Sequence, residues 1–223
     1  MGKIIAIDGP SGAGKSTISR LLAKRLGFQY LDTGALYRAT ALYLRLKGLN
    51  EKSSDEEMKN ALSGFRLTFC NERLIINDLS SEKDVTEAIR TTEIGHLASL
   101  FSSRKVVRDF LLSIQREMAD KGNIIAEGRD MATVVFPDSW RKFFITASEE
   151  ERARRRFEQL KDKGISMDEA LRDVRERDKR DQEREIAPLR VSKDAVIIDT
   201  TDKDVDEVIE EILGLIKQDL QEL

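Results

Sequence analysis

The nine residues Gly9-Pro10-Ser11-Gly12-Ala13-Gly14-Lys15-Ser16-Thr17 constrain the fold more than any other stretch of the chain. They follow a short apolar run, Lys3–Asp8, and lead directly into a pattern with apolar residues at Ile18, Leu21, Leu22 and Leu26. The run reads as a strand buried on both faces, and the pattern as one face of a helix. Three glycines between them admit backbone conformations closed to other residues. Successive N–H groups of such a loop turn inward, and the helix behind adds its positive end, so the stretch forms an anion-binding concavity. The spacing fits G-x-x-x-x-G-K-[ST] in the strand–loop–helix context that this motif demands. Gly9 to Thr17 are therefore the candidate binding loop for a nucleoside triphosphate, with Lys15 reaching the β and γ phosphates and Ser16 ligating Mg²⁺.

Further short apolar runs, at Phe28–Leu31, Asn123–Glu127, Lys142–Thr146 and Ala195–Asp199, alternate with longer helical patterns. The helical patterns are Lys15–Leu26, Ala35–Leu46, a pair within Thr92–Ala119, a long stretch Ser148–Glu185 and a last helix Val205–Leu220. The last carries Val205, Val208, Ile209, Ile212 and Ile216 on one face. Alternation of this kind predicts an α/β fold, a parallel sheet covered by helices. The segment Glu51–Arg90 departs from it: Phe65–Phe69 and Leu74–Ile76, separated by Asn71-Glu72 and followed by Asn77-Asp78, predict an inserted β-hairpin.

Charge narrows the partners. A net charge of −3 with a pI near 5.5 argues against a protein that grips nucleic acid by bulk electrostatics. Between Glu149 and Arg190 lie ten of the 22 arginines, yet 13 basic side chains there are matched by 13 acidic ones, as in a solvated helical pair. Cys70 is the only cysteine and His96 the only histidine, which rules out an intramolecular disulfide and a zinc site of Cys/His spacing and fits a reducing cytoplasm. No run approaches the ~18 apolar residues of a membrane span, and the opening apolar stretch is too short for a signal peptide, so the mature chain is expected to begin at Met1. Cys70 and Trp140 read as a small buried thiol and a packing aromatic.

A phosphate loop says what is bound and not what is done with it. No N-K-x-D base-reading motif and no apolar strand ending in Asp-Glu is present, which disfavours a switch protein or a motor. Phosphoryl transfer asks for positioning and charge neutralisation and needs no histidine, so a small kinase is the economical reading. An acceptor site is offered by Asp32-Thr33-Gly34-Ala35-Leu36-Tyr37-Arg38, where helix-end donors and a guanidinium meet one phosphate. Gly128-Arg129-Asp130-Met131-Ala132-Thr133-Val134-Val135-Phe136-Pro137-Asp138 follows another strand, at the sheet edge where α/β proteins bind ligands. On a helix, Asp181 and Arg184 fall within about 40° of Arg177, so the three share a face; the plainer reading is an i, i+4 salt bridge.

Together these blocks, with Arg177-Asp178-Lys179-Arg180-Asp181 and Ala187-Pro188-Leu189, closely resemble the bacterial cytidylate (CMP/dCMP) kinases from the phosphate loop almost to the C-terminus. The resemblance implies a P-loop three-layer fold with a five-stranded parallel core formed by residues 1–33, 91–147 and 187–223. Residues 34–90 would be the monophosphate-binding region, with a β-rich insert over about 51–90, and 148–186 an Arg-rich helical lid. It implies transfer of the γ-phosphoryl group of Mg·ATP to CMP or dCMP by a cytoplasmic monomer. Thr33, Arg38, Arg129 and Arg184, beside Asp32, would cradle the acceptor phosphate. Ser99, Arg108 and Asp130 would read cytosine, and Arg177 and Asp181 would meet the ribose. Lys15 and Arg129, with the lid residues Arg180 and Arg184, would neutralise developing charge, and Glu127 would order Mg²⁺-bound water. Thr33 stands where some members carry Ser, and Ala132 where Gly is frequent. The rival readings are a P-loop kinase for AMP, UMP or an alcohol and, from another class, an ATP-binding regulator or RNA-binding module without turnover.

Overall fold

A computed structural model describes residues 2–70, 73–77 and 82–221. In chain order the elements are β1 (Ile4–Asp8), α1 (Lys15–Leu26), β2 (Gln29–Asp32), α2 (Thr33–Leu46), α3 (Asp55–Ser63), β3 (Arg66–Cys70), β4 (Arg73–Asn77) and β5 (Glu82–Asp84). They continue with α4 (Thr92–Phe101), α5 (Lys105–Ala119), β6 (Ile124–Glu127), β7 (Arg141–Thr146), α6 (Glu149–Leu160), α7 (Met167–Glu183), β8 (Val196–Asp199) and α8 (Val205–Gln221). The chain divides into two compact units, Met1–Leu31 with Met118–Leu223, and Asp32–Glu117. This boundary follows compactness, whereas the functional regions expected from the resemblance follow roles.

The first unit is an α/β fold on a five-stranded parallel sheet in the order β2-β6-β1-β7-β8. Its inner strands have no polar-out face: all four residues of β6 and the last four of β1 are buried, which is why their sequences do not alternate. Ile5, Ile7, Phe143, Ile145 and Ile198 of the sheet pack with Ile18 and Leu22 of α1 and with Val208, Ile209, Ile212 and Ile216 of α8. Each such side chain contributes about 1.5–3 kcal/mol by burial. Two expected core positions turn outward: Leu21 is 38% exposed and Val205 39%. Trp140 packs partly buried against this core, with the Lys3 ammonium 4.2 Å from its ring. The register pairs Ile7 with Glu127, so β1 and β6 end side by side and the chain leaves both at one edge, where open α/β sheets bind ligands.

The long helical stretch expected at Ser148–Glu185 resolves into α6 and α7 around a 3-10 turn at Lys161–Lys163. Both helices begin on serine caps: Ser148 accepts from Glu151 N and Ser166 forms a capping box with Glu169.

The second unit holds the expected hairpin, extended by a third strand. β3, β4 and β5 pair antiparallel, with Leu74 and Ile76 buried. β5, Glu82–Asp84, is exposed throughout and offers no apolar pattern, so pairing alone makes it a strand. The turn at Asn71-Glu72, Asp78 of the Asn77-Asp78 turn and the Cys70 side chain lie outside the described residues. α3 was not expected, although Ser54 and Glu57 form a capping box at its start. Fully buried Phe65 stacks on Tyr43 with ring centroids 4.0 Å apart, and Phe110 lies 5.7 Å from it, joining α2 and α5 around the insert.

Candidate active site

The loop between β1 and α1 has the conformation its glycines foretell. Gly9, Gly12 and Gly14 have φ of 149°, 78° and 89°. A Cβ at Gly9 would come within 1.9 Å of the Ile145 carbonyl oxygen, and one at Gly12 within 3.0 Å of that of Arg152, so bare backbone is needed as much as a left-handed φ. Lys15 is buried, and its Nζ donates to the Pro10 carbonyl at 2.6 Å. Burial first, and then the charge of Arg129, push the Lys15 ammonium down from 10.5 to about 7.

Next to it, Ser16 Oγ donates to Glu127 Oε1 at 2.6 Å, and Tyr30 Oη donates to the same oxygen at 2.8 Å. The Ser16 and Glu127 oxygens suit a hard cation as part of a larger oxygen set. Among the described residues no group of three or more His, Cys, Asp and Glu side chains is arranged as a protein-only cage, so these two fit a cation that arrives with further oxygens of its own.

Beyond β6, Arg129 donates through Nε to Asp181 Oδ2 at 2.8 Å. Burial lowers the Arg129 pKa, but Asp181 more than offsets it and holds it above the ordinary value. Burial likewise raises Asp181, and Arg129 pulls it below the usual carboxylate range. Asp130, 2% exposed, accepts from Arg184 Nη2 at 3.3 Å. Arg177 behaves differently: its Nε is buried without a hydrogen-bond partner among the described residues, and burial, then the charges of Arg129 and Arg156, push it down to about 10. Lys15 and Arg177 thus each carry charge at a cost set by burial and by Arg129, whereas Asp181 stabilises the charge of Arg129 itself.

One expectation about α7 is corrected. Asp181 forms its hydrogen-bonded ion pair with Arg129, 52 residues away, while the charge of Arg177, four residues before it, also helps to lower its pKa. Arg184 does not extend the helical face: it caps α7 with ψ of 138°, and its Nε donates to the Ala187 carbonyl at 2.6 Å. Ala187 is the one non-glycine residue of positive φ, 50°, among those described, because the chain must fold back to present that carbonyl. Arg180 lies 3.8 Å from Glu176 on its own helix.

Within the second unit, Asp32 Oδ1 caps α2 by accepting from Ala35 N at 2.8 Å, and Thr33 is buried in the first turn. Arg38 folds back along α2, its Nη2 3.7 Å from where a Cβ on Gly34 would stand. Buried Arg108 donates to the Ser102 carbonyl at 3.2 Å and lies 5.7 Å from the Tyr37 ring. Ser99, on α4, gives its carbonyl to the Ser102 hydroxyl.

Reading the sequence missed three residues. Asp8, 1% exposed, accepts from the Met131 and Ala132 amides at 2.8 Å each, and burial, against those two bonds, raises its carboxyl to about 6. Arg152 of α6 and Asp178 of α7 form a buried ion pair that holds both backbone groups of Ser11. Arg152 donates to the Ser11 carbonyl at 3.1 Å, and Asp178 accepts from its amide at 3.3 Å. Asp8 carried a signal, a carboxylate in the last strand position before the loop; the other two were hidden among balanced charges.

The cytidylate kinase family model matches residues 5–218. The cytidylate kinase of Thermodesulfovibrio yellowstonii is 53% identical over 229 residues, covering 98% of this chain and 100% of its own. That of Thermotoga neapolitana is 48% identical over 220 residues, covering 98% of both. Among solved structures, an uncharacterized protein from Eubacterium ventriosum aligns with a TM-score of 0.55 at 15% identity over 96% of this chain and 98% of that one, a likeness of fold alone. A match that runs through both units, with relatives near half identical along almost their whole length, puts the chain in the cytidylate kinase family.

Proposed function

We propose that the protein transfers the γ-phosphoryl group of ATP to CMP or dCMP, giving ADP and CDP or dCDP. One observation carries the reading beyond family membership: Lys15 and Arg177 are both held below their ordinary pKa by burial and then by Arg129. Anionic oxygens that settle beside Lys15 and Arg177 offset both their burial and the repulsion from Arg129, and more so as charge spreads over a phosphoryl group in transfer. An acceptor phosphate oxygen bonds to the γ phosphorus while the bond to the β–γ bridging oxygen breaks, and ADP leaves with that electron pair. No general base is needed.

In this reading Gly9 to Thr17 hold the triphosphate, and Lys15, Arg129, Arg180 and Arg184 neutralise the transferring group. Ser16, with Glu127 behind it, would hold Mg²⁺, which when bound neutralises β and γ oxygens. Asp130 accepts from the cytosine amino group, and Arg177 and Asp181 meet the ribose. By the same residue-by-residue resemblance, the second unit contributes Asp32, Thr33 and Arg38 to phosphate recognition and Ser99 and Arg108 to base recognition. Residues 148–186 act as a lid whose closure excludes water. Residues 34–90 form the monophosphate-binding region and residues 1–33, 91–147 and 187–223 the core of a cytoplasmic monomer. No described helix is long and apolar enough to cross a membrane.

ADP formation from Mg·ATP, compared across CMP, dCMP, UMP, AMP and no acceptor, tests the assignment. CMP and dCMP are expected to exceed UMP in kcat/KM by about 10² or more, because uracil replaces the amino donor with a carbonyl and leaves the Asp130 carboxylate badly paired. Equal background in every reaction, with ATP bound, would overturn catalysis in favour of a regulator.

ATP binding is also expected to take up protons. An ammonium pushed down to about 7 is largely neutral at pH 8, and phosphate oxygens restore its charge, so net proton uptake, up to about one per ATP, is expected at that pH. Below about pH 6 the uptake vanishes, since Lys15 is already charged. Calorimetric titration in buffers of different ionisation enthalpy measures this; wild type without uptake, or Lys15→Met with it, would contradict the assignment.

A further inference from the structure

We propose that Asp8 is a positioning residue for acceptor recognition, holding the Met131–Val135 turn so that the Asp130 carboxylate is kept for the base. The proposal rests on the reading of Asp130 as the group that accepts from cytosine. The residue that opens a helical turn, when it is Asp, ordinarily spends its own carboxylate on the first unpaired amides. Asp130 occupies that position for the π-helical turn Met131–Val135, yet makes no such capping bond. The Met131 and Ala132 amides go to Asp8 at 2.8 Å each. Both residues are buried, 1% and 3% exposed, so no water replaces a lost acceptor and each amide needs a protein partner.

Capping is thereby delegated to a neighbouring strand, and Asp130 turns instead toward Arg184. The attachment is stiff because its base is the end of a central strand: Asp8 pairs with Phe144 in the sheet, and Gly128 N donates to Ile7 O at 2.9 Å. The next residue, Gly9, opens the phosphate loop, but that loop is attached through the β1 backbone, whereas the Asp8 carboxylate bonds to the Met131 and Ala132 amides of the turn behind Asp130.

Asp8→Asn keeps one acceptor but sets an amide NH₂ against a backbone N–H, donor facing donor. At saturating ATP this variant is expected to raise KM for CMP about tenfold and to narrow the CMP-over-UMP ratio of kcat/KM. KM for ATP should stay within about twofold. A merely structural role would move both substrates together. Asp8→Ser, which keeps one acceptor in a smaller side chain, is expected to act in the same direction and serves if Asp8→Asn does not fold.

Two results would overturn the proposal: an ATP KM that rises as much as that for CMP, or an unchanged CMP-over-UMP ratio. In an Asp130→Ala background, Asp8→Asn should leave the already diminished ratio where it stands; a further change would mean that Asp8 does not act through Asp130. Asp130→Ala alone with full selectivity would instead sink the reading of Asp130. Amide exchange separates that case, since Met131 and Ala132 must exchange faster in Asp8→Asn whatever the role of Asp130.

Discussion

Arg129→Ala is expected to lower kcat for CMP phosphorylation by about 10²- to 10³-fold, the cost typical of removing one preorganised donor to a developing negative charge. Arg129 appears in the electrostatic surroundings of both depressed cations, Lys15 and Arg177, and its Nε is fixed by Asp181 at 2.8 Å. That bond, with a 3.1 Å donation from Nη1 to the Gly128 carbonyl, fixes the plane of a fork that stays charged, as stabilising a spreading equatorial charge requires. Removing Arg129 relieves Lys15 and Arg177 of a repulsive neighbour but strands the Asp181 carboxylate that it pairs with. Arg129→Lys should recover only a small part of the loss, because it restores charge without the fork. Turnover within a factor of three of wild type in Arg129→Ala, measured by coupled ADP release, would remove Arg129 from the chemistry.

The second large effect falls on stability. Arg152→Ala is expected to destabilise the protein by about 3–5 kcal/mol, because it strands the buried Asp178 carboxylate. The two side chains are 8% and 12% exposed, so solvent cannot take over. The Ala147 and Ser11 carbonyls lose their guanidinium donors as well. At about 2–4 °C per kcal/mol for a chain of this size, the melting temperature should fall by about 6–20 °C. Arg152→Met combined with Asp178→Leu should recover most of it, since a packed apolar pair is as stable as a buried ion pair. The double variant should still bind ATP weakly, because Ser11 is no longer held. A melting temperature of Arg152→Ala within about 2 °C of wild type would show that the pair does not secure the loop.

Where sequence and structure agree, the reason is local. The phosphate loop and its flanks were legible because strand burial, glycine spacing and helix periodicity are properties of neighbouring residues. All five core strands lie within a residue or two of their expected limits for the same cause. β5 was not legible because Glu82-Lys83-Asp84 carries no preference of its own, and its strand character is conferred by Ile75, Ile76 and Asn77. α3 was legible in its capping box and outweighed by its charges. The site divides along the same line. Lys15, Ser16, Arg129 and Asp130 lie in motifs whose text shows them, but their partners do not: Asp181 answers Arg129 across 52 residues, Asp8 answers Met131 across 123, and Arg152 meets Asp178 on another helix. Such pairings depend on how elements distant in sequence pack together, which no local pattern states.

The amide of Ser11 finds its acceptor in Asp178, 167 residues later. On a ribosome adding about 5–20 residues per second, the loop at the start of the chain therefore waits roughly 8–33 s for the side chain that completes it. The nascent protein thus emerges with its nucleotide grip unfinished, and the last third of translation, rather than the first, sets when it can begin to take hold of ATP.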